Sequence, residues 1–245
     1  MLVTLFVPCF IDQLYPRTAF NVLKLLKRAG VQAAYNPEQT CCGQLAYNSG
    51  YWAQTRDLAI KFMRDFAGDS LIVSPSASCT GFVKNYYSTL FPAGTPEAVQ
   101  CASLSERMFE LTDFFVNHLK ITDFQACFPH KVCYHDACSA LREYGIRNEP
   151  RTLLANVNGL ELIEMDETAT CCGFGGTFAA KFHDISTAMT EQKVEYALKT
   201  GAEYIVSTES SCLMNIEGFI HRNKLPIKTI HIADILASGW PDEHS

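Results

Sequence analysis

The stretch QTCCGQLAYNSGYW, residues 39–52, and its counterpart CCGFGGTFAAKF, residues 171–182, decide how this chain is read. Each holds two adjacent cysteines followed by glycine, Cys41-Cys42-Gly43 and Cys171-Cys172-Gly173. Working outward, a lone cysteine precedes each pair: Cys9 stands 32 positions before Cys41, and Cys138 stands 33 before Cys171. Another follows each pair, with Cys79 at 37 positions after Cys42 and Cys212 at 40 after Cys172. Eight of the eleven cysteines therefore form one four-thiol pattern written twice. Four thiolates are the usual complement of a metal or iron–sulfur site, so two such sites are expected.

The segments between the cysteines set the fold class. LVTLFV (2–7), Val31–Tyr35 and residues 70–74 are short apolar runs that read as strands. A helix is expected from Pro16 to Ala29, where Gly30 ends it, and another from Tyr51 to Ala67 before Gly68. Residues 75–79 read as a turn, Gly81–Leu90 as helix, and 97–119 as further helix bridging to the second half. The order then recurs: strands at Lys131–His135, Leu160–Ile163, Tyr204–Ser207 and Ile227–Ile230, with helices at Glu149–Asn156, Ile185–Lys199, from Cys212, and at Ala233–Ala237. Alternating strands and helices imply an α/β fold with mainly parallel sheets, here two pseudo-symmetric lobes. Residues 1–125 are expected to form the first repeat and 126–245 the second. The motif cysteines fall after strands, and the carboxyl ends of parallel strands are where such folds build their sites.

Composition narrows the function classes. The chain has 245 residues, 48% hydrophobic and 19% charged, with a net charge of −6. No basic cluster suggests nucleic acid or an anionic membrane. No apolar run reaches the ~18 residues of a membrane span, and the N-terminus lacks a basic signal-peptide region, so a cytoplasmic protein is expected. Disulfide frameworks belong to small secreted chains, which favours thiolate ligation here.

Adjacent cysteines fit a multi-iron cluster better than one tetrahedral zinc, because neighbouring side chains diverge. Gly43 and Gly173 suit a positive-φ turn or a close backbone approach, and Gly175 and Gly176 extend that loop. Cys101, Cys127 and Cys133 have no equivalents in the opposite half and read as packing. His135-Asp136 is a candidate hydrogen-bonding pair beside Cys138, and His183 a weaker one. Ser207, Ser210 and Ser211 lack a nucleophile elbow. Tyr47, Tyr51 and Trp52 are candidates for shielding a site from water, with core packing as the alternative. No GxGxxG follows the first strand, so no NAD or flavin of the chain's own is expected.

FVPCFIDQLYP (6–16), QTCCGQLAYNSGYW, SPSASC (74–79), YHDAC (134–138), CCGFGGTFAAKF and SSCLMNI (210–216) together resemble the cysteine-rich CCG domain, present twice. That family includes heterodisulfide reductase and glycolate oxidase iron–sulfur subunits. The chain is most similar to its short lactate-utilisation members, which lack a ferredoxin-type extension. The resemblance implies that Cys9, Cys41, Cys42 and Cys79 hold one iron–sulfur cluster, and Cys138, Cys171, Cys172 and Cys212 a second. It further implies an electron-transfer subunit of an L-lactate-oxidising complex, with the other subunits of that complex as partners. The family motif ends in CxxC, whereas the fifth thiol is replaced here by Ser76 and by Glu209, and Ser139 follows Cys138 where relatives often carry histidine. Four thiols suit two [4Fe–4S] clusters rather than a five-thiol, non-cubane one. The alternatives are a heterodisulfide or thiol–disulfide reductase subunit, and a zinc-binding scaffold.

Overall fold

Among the described residues, eight short strands form two sheets of identical topology. In the computed structural model, which describes residues 1–240, β1 (Leu2–Leu5), β2 (Gln32–Tyr35), β3 (Leu71–Ser74) and β4 (Met108–Glu110) form the first sheet, in the order β2-β1-β3-β4. β5 (Lys131–Tyr134), β6 (Glu161–Leu162), β7 (Tyr204–Ser207) and β8 (Lys228–His231) form the second, in the order β6-β5-β7-β8. Every pairing is parallel: Val3 lies opposite Ala33 and Leu71, and Val132 opposite Leu162 and Tyr204. The chain is thus an α/β protein of two similar lobes. Residues 241–245, with which the expected second repeat ends, lie outside the described residues.

Helices cover the sheets as their apolar spacing dictates. Helix Pro16–Arg28 opens with proline at its first turn and buries Val22, Leu25 and Leu26. Helix Trp52–Asp65 buries Ala59, Phe62 and Met63, while His183–Lys199, its counterpart, buries Thr190, Lys193, Val194 and Ala197. The lobes also exchange helices. Pro16–Arg28 packs against the last helix, Ile232–Leu236, where the Thr18 hydroxyl (2.8 Å) and the Asn21 amide (2.8 Å) donate to Asp234. Reciprocally, helix Asn148–Leu154 packs against Leu111–Leu119 of the first half. One apolar cluster therefore contains Val3, Leu5 and Leu25 together with Val132, Leu153 and Val206, so the core is continuous across the halves.

Two local expectations are corrected. Residues 97–119 are not one helix: Pro96–Glu106 is helical, β4 follows, and a helical turn of the wider π type runs through Phe114–Leu119. β4 is three residues long and completes the sheet by pairing with Ile72–Ser74. Its apolar residues merged with the helical pattern on either side. Residues 75–79 are not simply a turn, since helix Ala77–Tyr86 already contains Cys79. At the end of β4 the Glu110 carboxylate is fully buried and accepts from the Thr112 and Asp113 amides (2.7 and 3.2 Å); burial pushes its pKa up to about 8. The Glu110 amide donates to the Tyr144 hydroxyl (3.0 Å), which itself donates to Asp113 (2.6 Å), tying the first sheet to the second lobe.

Candidate metal centres

Both cysteine sets sit where strands end and helices begin. Cys9 is the first residue of helix Cys9–Leu14, and Cys138 opens the helical turn that continues as Ala140–Tyr144. Cys79 and Cys212 occupy the third positions of helices Ala77–Tyr86 and Ser210–Asn223. Helix N-termini present free N–H groups and the positive end of the peptide dipoles, a setting that favours anionic ligands. Burial repeats the symmetry: Cys42, Cys79, Cys172 and Cys212 are buried, whereas Cys9, Cys41, Cys138 and Cys171 are half-buried.

The sulfurs converge within each set. The Cys9 thiol donates to Cys41 Sγ at 3.8 Å and the Cys42 thiol to Cys79 Sγ at 3.2 Å, so the two adjacent cysteines reach different partners. Hydrogen bonds from Cys42 and Cys9 bring the Cys41 thiol down to about 3, while Cys9, its donor, is held up. In the second set the contacts run from Cys138 to Cys171 and from Cys172 to Cys212, and the bond to Cys171 holds the Cys138 thiol up. All eight cysteines line a single cleft between the lobes.

The glycines after each pair have a specific task. Gly43 has φ +89° and Gly173 φ +84°, a region glycine enters at no steric cost. That turn aims each glycine N–H back at the first sulfur of its pair, Gly43 to Cys41 and Gly173 to Cys171, both at 3.4 Å. The second loop is the tighter. A Cβ at Gly173 would stand 2.5 Å from the Ser186 carbonyl, and one at Gly176 would stand 2.5 Å from Leu45 of the first lobe. Phe10 meets Phe174 edge-on at 5.4 Å, closing the lobes over the cleft.

Ser76 and Glu209, which replace the expected fifth thiols, meet across the lobe interface. The Ser76 hydroxyl lies 3.1 Å from both Glu209 carboxylate oxygens, and the Ser78 amide (2.9 Å) and Ser211 hydroxyl (3.2 Å) donate to the same carboxylate. Ser76 Oγ also caps its helix by accepting from the Cys79 amide (3.3 Å). Burial raises the Glu209 pKa, opposed by these hydrogen bonds.

The remaining candidates separate cleanly. His135 is buried, and one of its ring nitrogens, Cys172 Sγ and Cys212 Sγ lie within 4.8 Å of one another. Asp136 is turned away into a bidentate ion pair with Arg151 (2.9 and 2.8 Å). His183 is exposed beside Asp184, away from the cleft. Ser207 donates to the His135 carbonyl (3.1 Å), whereas Ser210 and Ser211 line the cleft, the Ser211 hydroxyl bonded to the Glu209 carboxylate. Tyr51 and Trp52, each 60% exposed, do not shield the cleft, and Tyr47 packs in the core against the tilted rings of Phe82 and Tyr86. Cys101 packs on Met63 (3.4 Å), Cys133 is buried in β5, and Cys127 bridges to Asn158. Sequence reasoning missed Lys193, wholly buried beneath the second set. Its position in the buried stripe of His183–Lys199, between Thr190 and Val194, was the available signal.

The donor chemistry fits a thiolate-bound metal or iron–sulfur group: four convergent thiols, with backbone N–H groups and helix N-termini around them. Among the described residues, no helix is long and apolar enough to cross a membrane.

Comparison with known proteins agrees with this architecture. The cysteine-rich domain model, CCG, matches residues 3–84 and again 132–217. Lactate utilization protein A of Exiguobacterium sp. is 42% identical over 242 residues, covering 97% of each chain. Lactate utilization protein A 2 of Bacillus cereus is 37% identical over 239 residues, covering 98% of this chain and 99% of that one. A solved structure of a hypothetical protein from Helicobacter pylori superposes with a TM-score of 0.62 at 11% identity, a likeness of fold. It covers 99% of this chain, which spans half the length of that one. The chain belongs to the cysteine-rich CCG domain family and carries that domain twice.

Proposed function

We propose that Cys9, Cys41, Cys42 and Cys79 hold one [4Fe–4S] cluster and Cys138, Cys171, Cys172 and Cys212 a second. The chain is then the iron–sulfur electron-transfer subunit of a complex that oxidises L-lactate to pyruvate. The observation that carries this reading is the convergence of all eight thiols, in two sets of four, on one cleft. Full-length likeness to proteins named for lactate utilisation supports the substrate. The repeats, 1–125 and 126–245, each supply one site. A cluster so bound takes up and releases electrons one at a time.

The protein's own residues do the rest. Cys42, Cys79, Cys172 and Cys212 anchor from the buried side, and Cys9, Cys41, Cys138 and Cys171 face the cleft. Gly43 and Gly173 set N–H groups on the outer sulfurs, and the Phe10–Phe174 contact limits water. Half-buried thiolates need a reducing compartment, which places the protein in the cytoplasm in this proposal. Hydride removal from lactate needs a two-electron acceptor, and the sequence holds no dinucleotide fingerprint, so partner subunits complete the reaction.

The test is reconstitution. Oxygen-free protein should not oxidise lactate alone, and should restore lactate-dependent dye reduction when combined with the other lactate utilisation subunits. Rapid oxidation by the isolated chain overturns the relay. A reassembled complex indifferent to lactate but active on a disulfide favours the reductase reading, against which Ser76 and Glu209 stand. One observation favours a zinc scaffold: the 3.8 Å between Cys9 and Cys41 is close to the sulfur separation around tetrahedral zinc with Zn–S of about 2.3 Å.

A further inference from the structure

The two sites are alike in their thiols and unlike in what surrounds them. Three residues before the first cysteine stands Phe6 in one half and His135 in the other. Twenty-one residues after each pair stands Met63 in one and Lys193 in the other. Around the first set the shell is apolar. Phe6 meets Phe62 (4.9 Å) and Phe66 (5.5 Å) edge-on, and Met63 takes the Cys101 thiol.

Around the second set the equivalent volume is polar. Lys193 is 0% exposed, and its ammonium donates to the Glu167 and Thr168 carbonyls, both at 2.9 Å, in the loop that leads into Cys171. Burial pushes it down to about 8, and the thiol it interacts with most is Cys172. His135 is also 0% exposed, and neither ring nitrogen has a hydrogen-bond partner. One ring nitrogen lies within 4.8 Å of both the Cys172 and Cys212 sulfurs, and the tautomer that protonates it turns an N–H toward them. The Cys172 carbonyl accepts from Thr190 (2.9 Å) and Asn215 (3.0 Å), against the single Tyr87 hydroxyl (2.8 Å) on Cys42. Of the nearby acids, Asp136 is paired with Arg151, whereas the Glu209 carboxylate, bonded to Ser76 and Ser78 of one lobe and Ser211 of the other, acts on Cys212 and opposes part of this bias.

We propose that the two four-thiol sites are unequal by construction, the buried Lys193 and His135 making the second the one that holds an added electron. This rests on the reading that both sets bind clusters. Net charge and hydrogen bonds to the sulfurs set a cluster's potential, and a cation or N–H donor beside thiolates stabilises the reduced, more negative state. An electron shared within the chain leaves the first centre, oxidising it by one, and enters the second, reducing it by one; no bond or proton moves. The sites form a directed pair, with the second as the intramolecular electron sink.

The experiment is a potentiometric titration, followed by electron paramagnetic resonance, of protein loaded with iron and sulfide without oxygen. Protein with Cys41→Ser and Cys42→Ser retains the second site and should titrate at the higher potential. Protein with Cys171→Ser and Cys172→Ser retains the first and should titrate lower. Lys193→Met, which installs the first site's residue, should shift the higher-potential signal down about tenfold in its reduction equilibrium, ~59 mV for a one-electron couple, and leave the other unmoved. If Lys193→Met prevents loading, His135→Phe carries the same two outcomes. Equal or reversed potentials, or a shift of the lower signal only, overturn the inequality while leaving the cluster reading intact. Protein that takes up no iron at either set overturns both.

Discussion

Removing the Glu209 carboxylate tests whether the lobes are fastened at the cleft. Glu209→Ala strands the Ser78 N–H, which donates to the carboxylate at 2.9 Å and heads the helix bearing Cys79. An unsatisfied donor of this kind costs about 1–3 kcal/mol, and the one deleted methylene adds roughly 0.8 kcal/mol. Relief of carboxylate burial offsets part of this, leaving a net loss of about 1–3 kcal/mol. For a chain of this size that is a fall in Tm on the order of 2–12 °C. The pH dependence gives a second readout. Burial raises the folded-state pKa of Glu209 above its ordinary 4.5, so the folded protein holds this proton more tightly than the unfolded chain does. The group's contribution is full at low pH and declines as pH rises from 4.5 through the folded value. The cost of Glu209→Ala should therefore be larger at pH 5 than at pH 8. Urea unfolding of reduced, metal-free protein at the two pH values measures both effects. A variant within 0.5 kcal/mol of wild type, or one costlier at pH 8, refutes the reasoning.

Other outcomes follow from the same geometry. Gly173→Ala combines an unfavourable φ with a Cβ placed against the Ser186 carbonyl, whereas Gly43→Ala meets only ordinary contacts. The first should lose clearly more Tm than the second, whose cost is about 1–2 kcal/mol, and equal losses refute the tighter second loop. Glu110, raised to about 8, should make wild-type stability fall between pH 5 and 8. Glu110→Gln should flatten that slope by up to about 1.4 kcal/mol per pH unit in paired denaturation series, and parallel slopes would count against it. Cys101→Ala and Cys133→Ala should leave metal content unchanged while lowering stability, since both thiols are buried in the core, and lost metal would return them to the site.

Much of the arrangement was legible because it is local. Cys9, Cys79 and Cys138 stand one strand away from their turns, and the glycine after each pair announces a positive-φ turn. The repeated spacing carried the topology, since equal spacing between equal strands folds to equal order. What was illegible depends on the two halves meeting. The shared core, the Ser76–Glu209 contact across 133 positions and the exchange of helices have no local signature. β4 was missed because three residues between helices show no period. The inequality of the shells was present in the sequence as Phe6 against His135 and Met63 against Lys193. It acquired meaning only once burial showed that those four side chains lie inside.

The most direct test of the central claim is the iron, acid-labile sulfide and zinc content of protein prepared without oxygen, alone and with Cys41→Ser or Cys171→Ser. The account predicts brown protein with about eight irons and matching sulfide per chain, four for each four-thiol cluster, and about half that in either variant. Stoichiometric zinc with no labile sulfide would contradict it.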